Sequence, residues 1–248
     1  MQDFFAWFQW LYDETGINLT YFYDSFDRAR MIDGFFTTIR LSLVCLFFST
    51  IIGIVGAWLQ GSRLVWARRI VQGYIQFFRN TPPLVQMYFF FFALGSLLPR
   101  VKNDFGYMEP MLSNFTWAAI SLSFFAGAFN VEIFRSGIEA VPESTREAAE
   151  ALGYNRLQSY MYVVLPLAFR VCLPALNNNL VNLVKTTTLA YAIAVPELLY
   201  VSNQIWSDSV NVPEMMVTLL ILYVALVGLL VWGMHRWERA IRVPGYGA

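Results

Sequence analysis

Long apolar runs, separated by short polar segments, are the dominant pattern of the chain. They cover residues 41–59, 81–98, 114–131, 171–195 and 215–234. A helix needs about 20 apolar residues to cross the hydrocarbon core of a bilayer. The fourth run contains Lys185 and Pro174, so it needs shelter from lipid. The pattern therefore predicts an all-α, polytopic helical membrane protein with five transmembrane helices.

The composition supports a membrane protein and excludes several other classes. Charged residues make up 14% of the 248 residues and hydrophobic residues 57%, whereas soluble domains carry about 25% charged residues. The lipid bilayer must therefore cover much of the surface. A net charge of zero argues against a nucleic-acid partner, which requires a basic patch. Cys45, Cys172 and the single His235 are too scattered to form a disulfide framework or a metal site.

The positive charges predict the orientation of the chain. Eleven of the 17 basic residues fall on one side of the predicted helices: Arg63, Arg68, Arg69, Arg79, Arg135, Arg146, Arg156, Arg170, Arg236, Arg239 and Arg242. The positive-inside rule places this side in the cytoplasm and the N-terminus outside. Residues 1–33 are then an aromatic extracytoplasmic or interfacial segment, residues 34–242 a transmembrane domain and residues 243–248 a cytoplasmic tail.

The longest predicted cytoplasmic segment, at about residues 142–166, indicates a short helix with defined ends. Ser144 and Glu147 have the spacing of a capping box, and Gly153 is placed where a helix ends in a left-handed residue. Asn155 and Gln158 offer a second capping box. Such a helix is suited to docking into a groove of another protein, but a plain surface helix between two membrane spans fits the same pattern.

Several motifs in this order resemble one family. Glu147-Ala148-Ala149, then Gly153 and Leu165-Pro166, resemble the EAA loop of ATP-binding-cassette (ABC) importer permeases. The stretch from Phe78 to Gln86 resembles the FRxTPxLVQ motif of the polar amino acid branch, which includes histidine, glutamine and glutamate–aspartate permeases. The segments 132–138, 165–176, 185–189 and 197–198 resemble this branch as well.

The resemblance implies the function and the partners. It implies a permease subunit in a bacterial inner membrane that imports a polar amino acid by alternating access. The expected partners are ABC ATPase subunits, a second permease in a homo- or heterodimer and an extracytoplasmic solute-binding protein. The chain itself is expected to be no enzyme and to hold no cofactor, because ATP and Mg²⁺ bind the ATPase. The residues expected to couple to the ATPase are Glu147, Ala148, Ala149, Leu152 and Gly153.

Polar side chains at membrane depth are candidates for the substrate pathway. They are Gln86, Glu132, Asn177, Asn178, Lys185, Thr186, Thr188 and Glu197, with Asn130 and Asn179 nearby.

Several of these candidates have a structural alternative. Gln86 suits a helix–helix hydrogen bond, and Glu132 an ion pair with Arg135 three residues later. The asparagines at 177–179 suit helix breaks or subunit bridges. Lys185 suits snorkelling, an ion pair with Glu132 or Glu197, or contact with the substrate carboxylate. The alternative function is a coupling or structural subunit of a heterodimeric membrane complex that conducts no solute.

Overall fold

A computed structural model describes residues 2–240, with side chains from residue 5 onward. The described chain is built mainly from α-helices. They are α1 Gln2–Thr15, α2 Thr20–Tyr23, α3 Ser25–Gln60, α4 Val65–Asn80, α5 Pro83–Tyr88, α6 Gly95–Leu97, α7 Asn114–Glu139, α8 Glu143–Ala151, α9 Arg156–Ser159, α10 Leu165–Thr186, α11 Leu198–Ser209 and α12 Val212–Ala240. Two π-helical turns, Phe89–Leu94 and Tyr160–Val164, and a 3₁₀ segment, Thr187–Ile193, extend these helices without a loop.

Four helical segments are long and apolar enough to cross a membrane. They are Ser25–Gln60, Asn114–Glu139, Arg156–Ile193 and Val212–Ala240. The all-α membrane fold is thus confirmed. Of the five predicted transmembrane helices, four have the expected length. The segment predicted at residues 81–98 is an apolar helix, Pro83–Leu97, that is shorter than the other four. It contains the π-helical turn, which widens the helix and reduces its rise per residue.

The first crossing helix begins at Ser25, well before the apolar run at residue 41, and so the boundary predicted at residue 33 falls inside α3. Charged residues can extend the helix because they are paired. The guanidinium of Arg30 bonds Asp27 and lies 2.9 Å from Asp208. The predicted tail at 243–248 lies outside the described residues.

A small β-hairpin was not predicted. Strands β1 (Arg100–Lys102) and β2 (Met108–Pro110) pair antiparallel, with Val101 opposite Glu109. The Asn103 side chain organises the turn, since its Oδ1 accepts from the Tyr107 amide at 2.8 Å. Strands of three residues are too short to produce a recognisable alternation of apolar and polar positions, which is why the sequence pattern missed them.

The described chain divides into two compact units. The first comprises residues 1–44, 87–121 and 184–228. Its core contains Met31, Leu198, Val201, Ile205 and Met215, all at most 7% exposed. The N-terminal segment joins this unit through hydrogen bonds as well, because Asn211 Nδ2 donates to the Asn18 carbonyl at 2.9 Å. The predicted N-terminal helix is present as α1, and its interfacial location stays a prediction.

The second unit comprises residues 45–86, 122–183 and 229–248. Glycines let its helices approach closely, as small residues do in membrane bundles. A Cβ at Gly127 of α7 would lie 2.7 Å from Ile52 Cγ2 of α3. A Cβ at Gly137 would lie 2.7 Å from the Ala168 carbonyl oxygen of α10 and 2.8 Å from Cys172 Cβ. Backbone atoms cannot move aside as side chains can, so α7 and α10 require a glycine here.

Replacing Gly137 by alanine tests this packing. We expect Gly137→Ala to lower the melting temperature of the detergent-purified protein, because overpacking typically costs about 1–3 kcal/mol. Gly233→Ala is the matched control, since a Cβ there meets nothing within 4 Å. Alanine stabilises a helix interior relative to glycine, so the control should melt no lower than the wild type. An unchanged melting temperature for Gly137→Ala would contradict the close approach of α7 and α10.

Candidate functional site

The short helix α8 lies in the segment predicted to dock. It covers Glu143–Ala151 and follows Pro142, whose carbonyl accepts from the Thr145 amide at 3.0 Å. The capping box predicted at Ser144 and Glu147 is therefore wrong. The helix starts two residues earlier because Pro142, rather than Ser144, occupies the N-cap position, and no side chain caps it there.

The C-terminal end of α8 is the one predicted. Gly153 has a φ of +94°, which an L side chain rarely adopts. The Tyr154 amide donates to the Ala149 carbonyl at 3.2 Å, and the Gly153 amide to the Glu150 carbonyl at 3.0 Å. These two bonds form a Schellman motif, which satisfies carbonyls at the helix end and reverses the chain direction.

The residues predicted to couple to the ATPase divide into an anchor and an exposed face. Ala149 is 3% exposed and faces the protein. Glu147, Ala148, Leu152 and Gly153 are exposed, and Leu152 is 81% exposed. Leu152 thus places an apolar side chain on the exposed surface beside the end of α8.

The segment after α8 is held by the second predicted capping box, which is confirmed. The Gln158 amide donates to Asn155 Oδ1 at 2.9 Å, and the Asn155 amide donates to Gln158 Oε1 at 3.0 Å. Both bonds fix the start of α9, which continues through the π-helical turn into α10. A buried cluster of Val141, Val164 and Ala168 joins the two ends of this loop.

Gln86 lies in α5, close to the turn that follows α4, and is 2% exposed. Its Nε2 lies 2.9 Å from the Phe78 carbonyl, 3.0 Å from the Thr81 carbonyl and 2.6 Å from Thr81 Oγ1. The side-chain amide thus donates to carbonyls at the end of α4, where the helix itself provides no further donors. This arrangement favours the structural alternative for Gln86 over a ligand contact.

Glu132 forms an ion pair with Arg79 of α4, so its predicted pairing with Arg135 is wrong. Arg135 instead donates to Glu139 at 2.8 Å, one helical turn further along α7. Arg79 also lies over the Phe129 ring, with its guanidinium carbon 5.2 Å from the ring centroid. This partner was not predicted, because Arg79 lies on another helix, 53 positions earlier in the sequence.

The asparagines of α10 point in different directions. Asn177 is 6% exposed, and its amide lies 3.4 Å from Glu238 of α12. Asn179 Nδ2 donates to Asn130 Oδ1 at 2.7 Å and to the Ala126 carbonyl at 3.1 Å, which links α10 to α7. Asn178 is exposed. Asn177 and Asn179 therefore join helices, whereas Asn178 faces away from the protein.

Lys185 is exposed on α10. No ion pair joins it to another side chain between residues 5 and 240, so the predicted pairs with Glu132 and Glu197 are not found there. Its carbonyl accepts from Thr188 Oγ1 at 2.9 Å, and Thr186 beside it is partly buried.

Glu197 is completely buried and caps α11. Its carboxylate accepts from the amides of Leu199 at 2.9 Å and Tyr200 at 2.8 Å, and from the Tyr223 hydroxyl at 3.1 Å. The Leu198 amide donates to Thr38 Oγ1 at 3.0 Å. Glu197 therefore connects α11 and α12 beside α3, and three donors already occupy its oxygens.

The comparison with protein families decides what kind of protein this is. Residues 49–243 match the family described as the binding-protein-dependent transport system inner membrane component. The chain belongs to this family. The matched range includes α8 and every predicted coupling residue. The permease is therefore a membrane-spanning subunit of a transport system, as the motifs predicted.

Individual relatives agree with this assignment. The permease is 31% identical to the octopine transport system permease protein OccM of Rhizobium radiobacter over 75% of both chains. It is 25% identical to the probable glutamine ABC transporter permease protein GlnM of Bacillus subtilis, over 91% of this chain and 98% of the relative. A crystal structure of an amino acid ABC transporter with histidines shares the fold, with a TM-score of 0.75 at 24% identity over 86% of this chain and 94% of that one.

Proposed function

We propose that this permease imports a polar amino acid and that ABC ATPase subunits drive it. The resemblance of its motifs to polar amino acid permeases supports the proposal, as do relatives described as octopine and glutamine permeases. The observation that carries it is α8, a short exposed helix whose C-terminal end is fixed by a Schellman motif. ATP and Mg²⁺ bind the partner ATPase in this scheme, and a solute-binding protein delivers the substrate to the outer face.

Helix α8 is the proposed docking element. A nine-residue helix is too short to be stable alone in water, so the Schellman motif and the buried Ala149 must hold it in shape. Its exposed face, with Glu147, Ala148 and Leu152, is then free to seat in a groove of the ATPase. Because the same loop continues directly into α10, a displacement of α8 is transmitted to a crossing helix. ATP must bind one transport state more tightly than the other for this displacement to drive transport.

The proposed substrate pathway follows one face of α10. Asn178, Asn182 and Lys185 are all exposed and lie four and seven residues apart along this helix, a spacing that places them on one face. A lysine facing lipid at the centre of a span costs about 2.5–3.5 kcal/mol. This face therefore requires a protein or aqueous neighbour, and a second permease subunit supplies one. Thr186 and Thr188 flank Lys185 and are proposed to assist it.

The proposed orientation places α8 in the cytoplasm and the N-terminus outside. Its support is the distribution of arginines, which the positive-inside rule converts into a topology. This orientation requires the shorter apolar helix Pro83–Leu97 to cross the membrane as well. The hairpin β1–β2 and α11 then lie on the outer side. The end of α12 lies on the inner side.

Substituting Gly153 tests the docking helix. Gly153→Asp should cost roughly 1–2 kcal/mol at the helix end, because an L residue is strained at positive φ and an acid is unfavourable at a helix C-terminus. No atom lies within 4 Å of a Cβ built there. A loss of ATPase binding or uptake in this variant would therefore not arise from a steric clash. We expect normal membrane insertion, weakened co-purification of the ATPase and strongly reduced uptake.

Two further variants make this test specific. Gly153→Ala retains the backbone strain without the charge and should show a smaller defect in the same direction. Gly73→Ala is the control, because a Cβ there also meets nothing within 4 Å and the backbone is an ordinary helix. If Gly153→Asp binds the ATPase and transports like Gly73→Ala, α8 is not the docking element.

Lys185→Met tests the pathway by removing a charge and keeping the side-chain length. A hydrogen bond to a charged group contributes about 1.5–3 kcal/mol, which corresponds to roughly a 10- to 150-fold loss of uptake. The complex should assemble and retain its basal ATPase activity. Lys102→Met makes the same chemical change in β1 and should transport normally. Wild-type uptake by an assembled Lys185→Met complex would remove Lys185 from the pathway.

Cysteine labelling tests the orientation. In a variant lacking Cys45 and Cys172, cysteines at Asp104 and Ser207 should react with an impermeant thiol reagent added to intact cells. Cysteines at Ser144 and His235 should react only after permeabilisation. All four positions are exposed, so burial does not prevent the reaction. Labelling at His235 from outside would reverse the proposed orientation.

A further inference from the structure

An apolar groove in the second unit lies between the ends of three crossing segments. It has a volume of about 560 Å³ and is lined by residues of α3, α7 and the segment from α9 to α10. Ile54 of α3 is 54% exposed, Met161 is 52% exposed and Leu157 is 70% exposed. The groove is therefore an open apolar surface on helices that cross the membrane.

The groove continues into polar surroundings at one end. Ala57, Trp58, Ile138 and Tyr160 line both the groove and a neighbouring cavity of about 490 Å³. That cavity shares Gln60, Arg135 and Glu139 with a third cavity of about 480 Å³, which also contains Arg68 and Arg69. The surface thus changes from apolar to cationic along one continuous path.

The cationic end of this path carries a net positive charge. Three guanidinium groups and one carboxylate line it, and Arg135 is paired with Glu139 at 2.8 Å. Within the described part of the chain, neither Arg68 nor Arg69 has an ion-pair partner. Both lie on α4, which buries its apolar face through Ala67, Val71, Ile75 and Phe78.

We propose that these three cavities form a binding site for one anionic phospholipid. Arg68 and Arg69 bind the phosphate and the anionic headgroup, and an acyl chain fills the groove beside Ile54 and Met161. A soluble anion would use only the arginines and leave the groove exposed. An apolar helix of another subunit would cover the groove and leave the arginines uncompensated. A phospholipid matches both parts, and basic pockets beside membrane-spanning helices are typical of such sites.

The proposed lipid site lies next to the segment that follows α8. Leu157, Tyr160 and Met161 line the groove, and they lie within or directly after the second capping box. A bound acyl chain would support this part of the loop against α3 and α7. Under the proposed orientation the lipid belongs to the cytoplasmic leaflet. This assignment rests on the proposed function, as does the permease pair used in the test below.

Native mass spectrometry of the full-length protein, alone and as the assembled permease pair, provides the test. The probes are long-chain phosphatidylglycerol, phosphatidylcholine with the same chains, and inorganic phosphate. We expect retention of one phosphatidylglycerol in preference to phosphatidylcholine and no displacement by millimolar phosphate. Each arginine near a membrane surface contributes about a fivefold effect, so Arg68→Gln/Arg69→Gln should weaken phosphatidylglycerol binding roughly 30-fold.

The control variant removes two charges elsewhere. Arg100→Gln/Lys102→Gln in β1 makes the same change in net charge and should bind phosphatidylglycerol like the wild type. Equal retention of both lipids, or equal loss in both double variants, would overturn the site. Displacement by phosphate would show an anion site without a lipid. Loss of the lipid when the permease pair assembles would show that the groove is a subunit interface, which contradicts the proposal as well.

Discussion

Every polar group on a membrane-crossing helix needs a partner, because lipid provides none. This constraint explains much of the packing. Glu132 is paired with Arg79 of a neighbouring helix, Asn179 bonds Asn130, and Gln86 satisfies carbonyls at the end of α4. On α10, by contrast, Asn178 and Lys185 are exposed, and no ion pair joins Lys185 to another side chain of the described residues. The second permease subunit proposed above would cover these side chains.

Helix α8, the proposed docking helix, has a different physical requirement. A short helix that transmits force must keep its shape although its own hydrogen bonds are too few to stabilise it. The left-handed Gly153, the two backbone bonds around it and the buried Ala149 provide the fixed ends and the anchor. The close contact of Gly137 with the Ala168 backbone then joins the helix before this loop to the helix after it. In the proposed scheme, rigid packing at the base of the loop transmits a displacement of the exposed helix α8 to α10.

The sequence predicted the features that depend on local chemistry. Gly153 was expected to be left-handed because few other residues fit a helix end of this kind, and the capping box at Asn155 and Gln158 was read correctly from its spacing. Features that depend on distant residues were missed. The partner of Glu132 lies on another helix, and Pro142 displaced the expected cap at Ser144. The number of long spans was overestimated because apolar composition at residues 81–98 does not reveal the length or the π-helical turn of that helix.

Transport by a reconstituted complex tests the central claim most directly. Proteoliposomes would contain this permease, its partner permease and its ATPase, with ATP enclosed on the ATPase side and the solute-binding protein on the opposite side. The account predicts that a radiolabelled polar amino acid accumulates against its gradient only when ATP and the binding protein are both present. Equilibration of the amino acid without ATP, or accumulation without the binding protein, would contradict it.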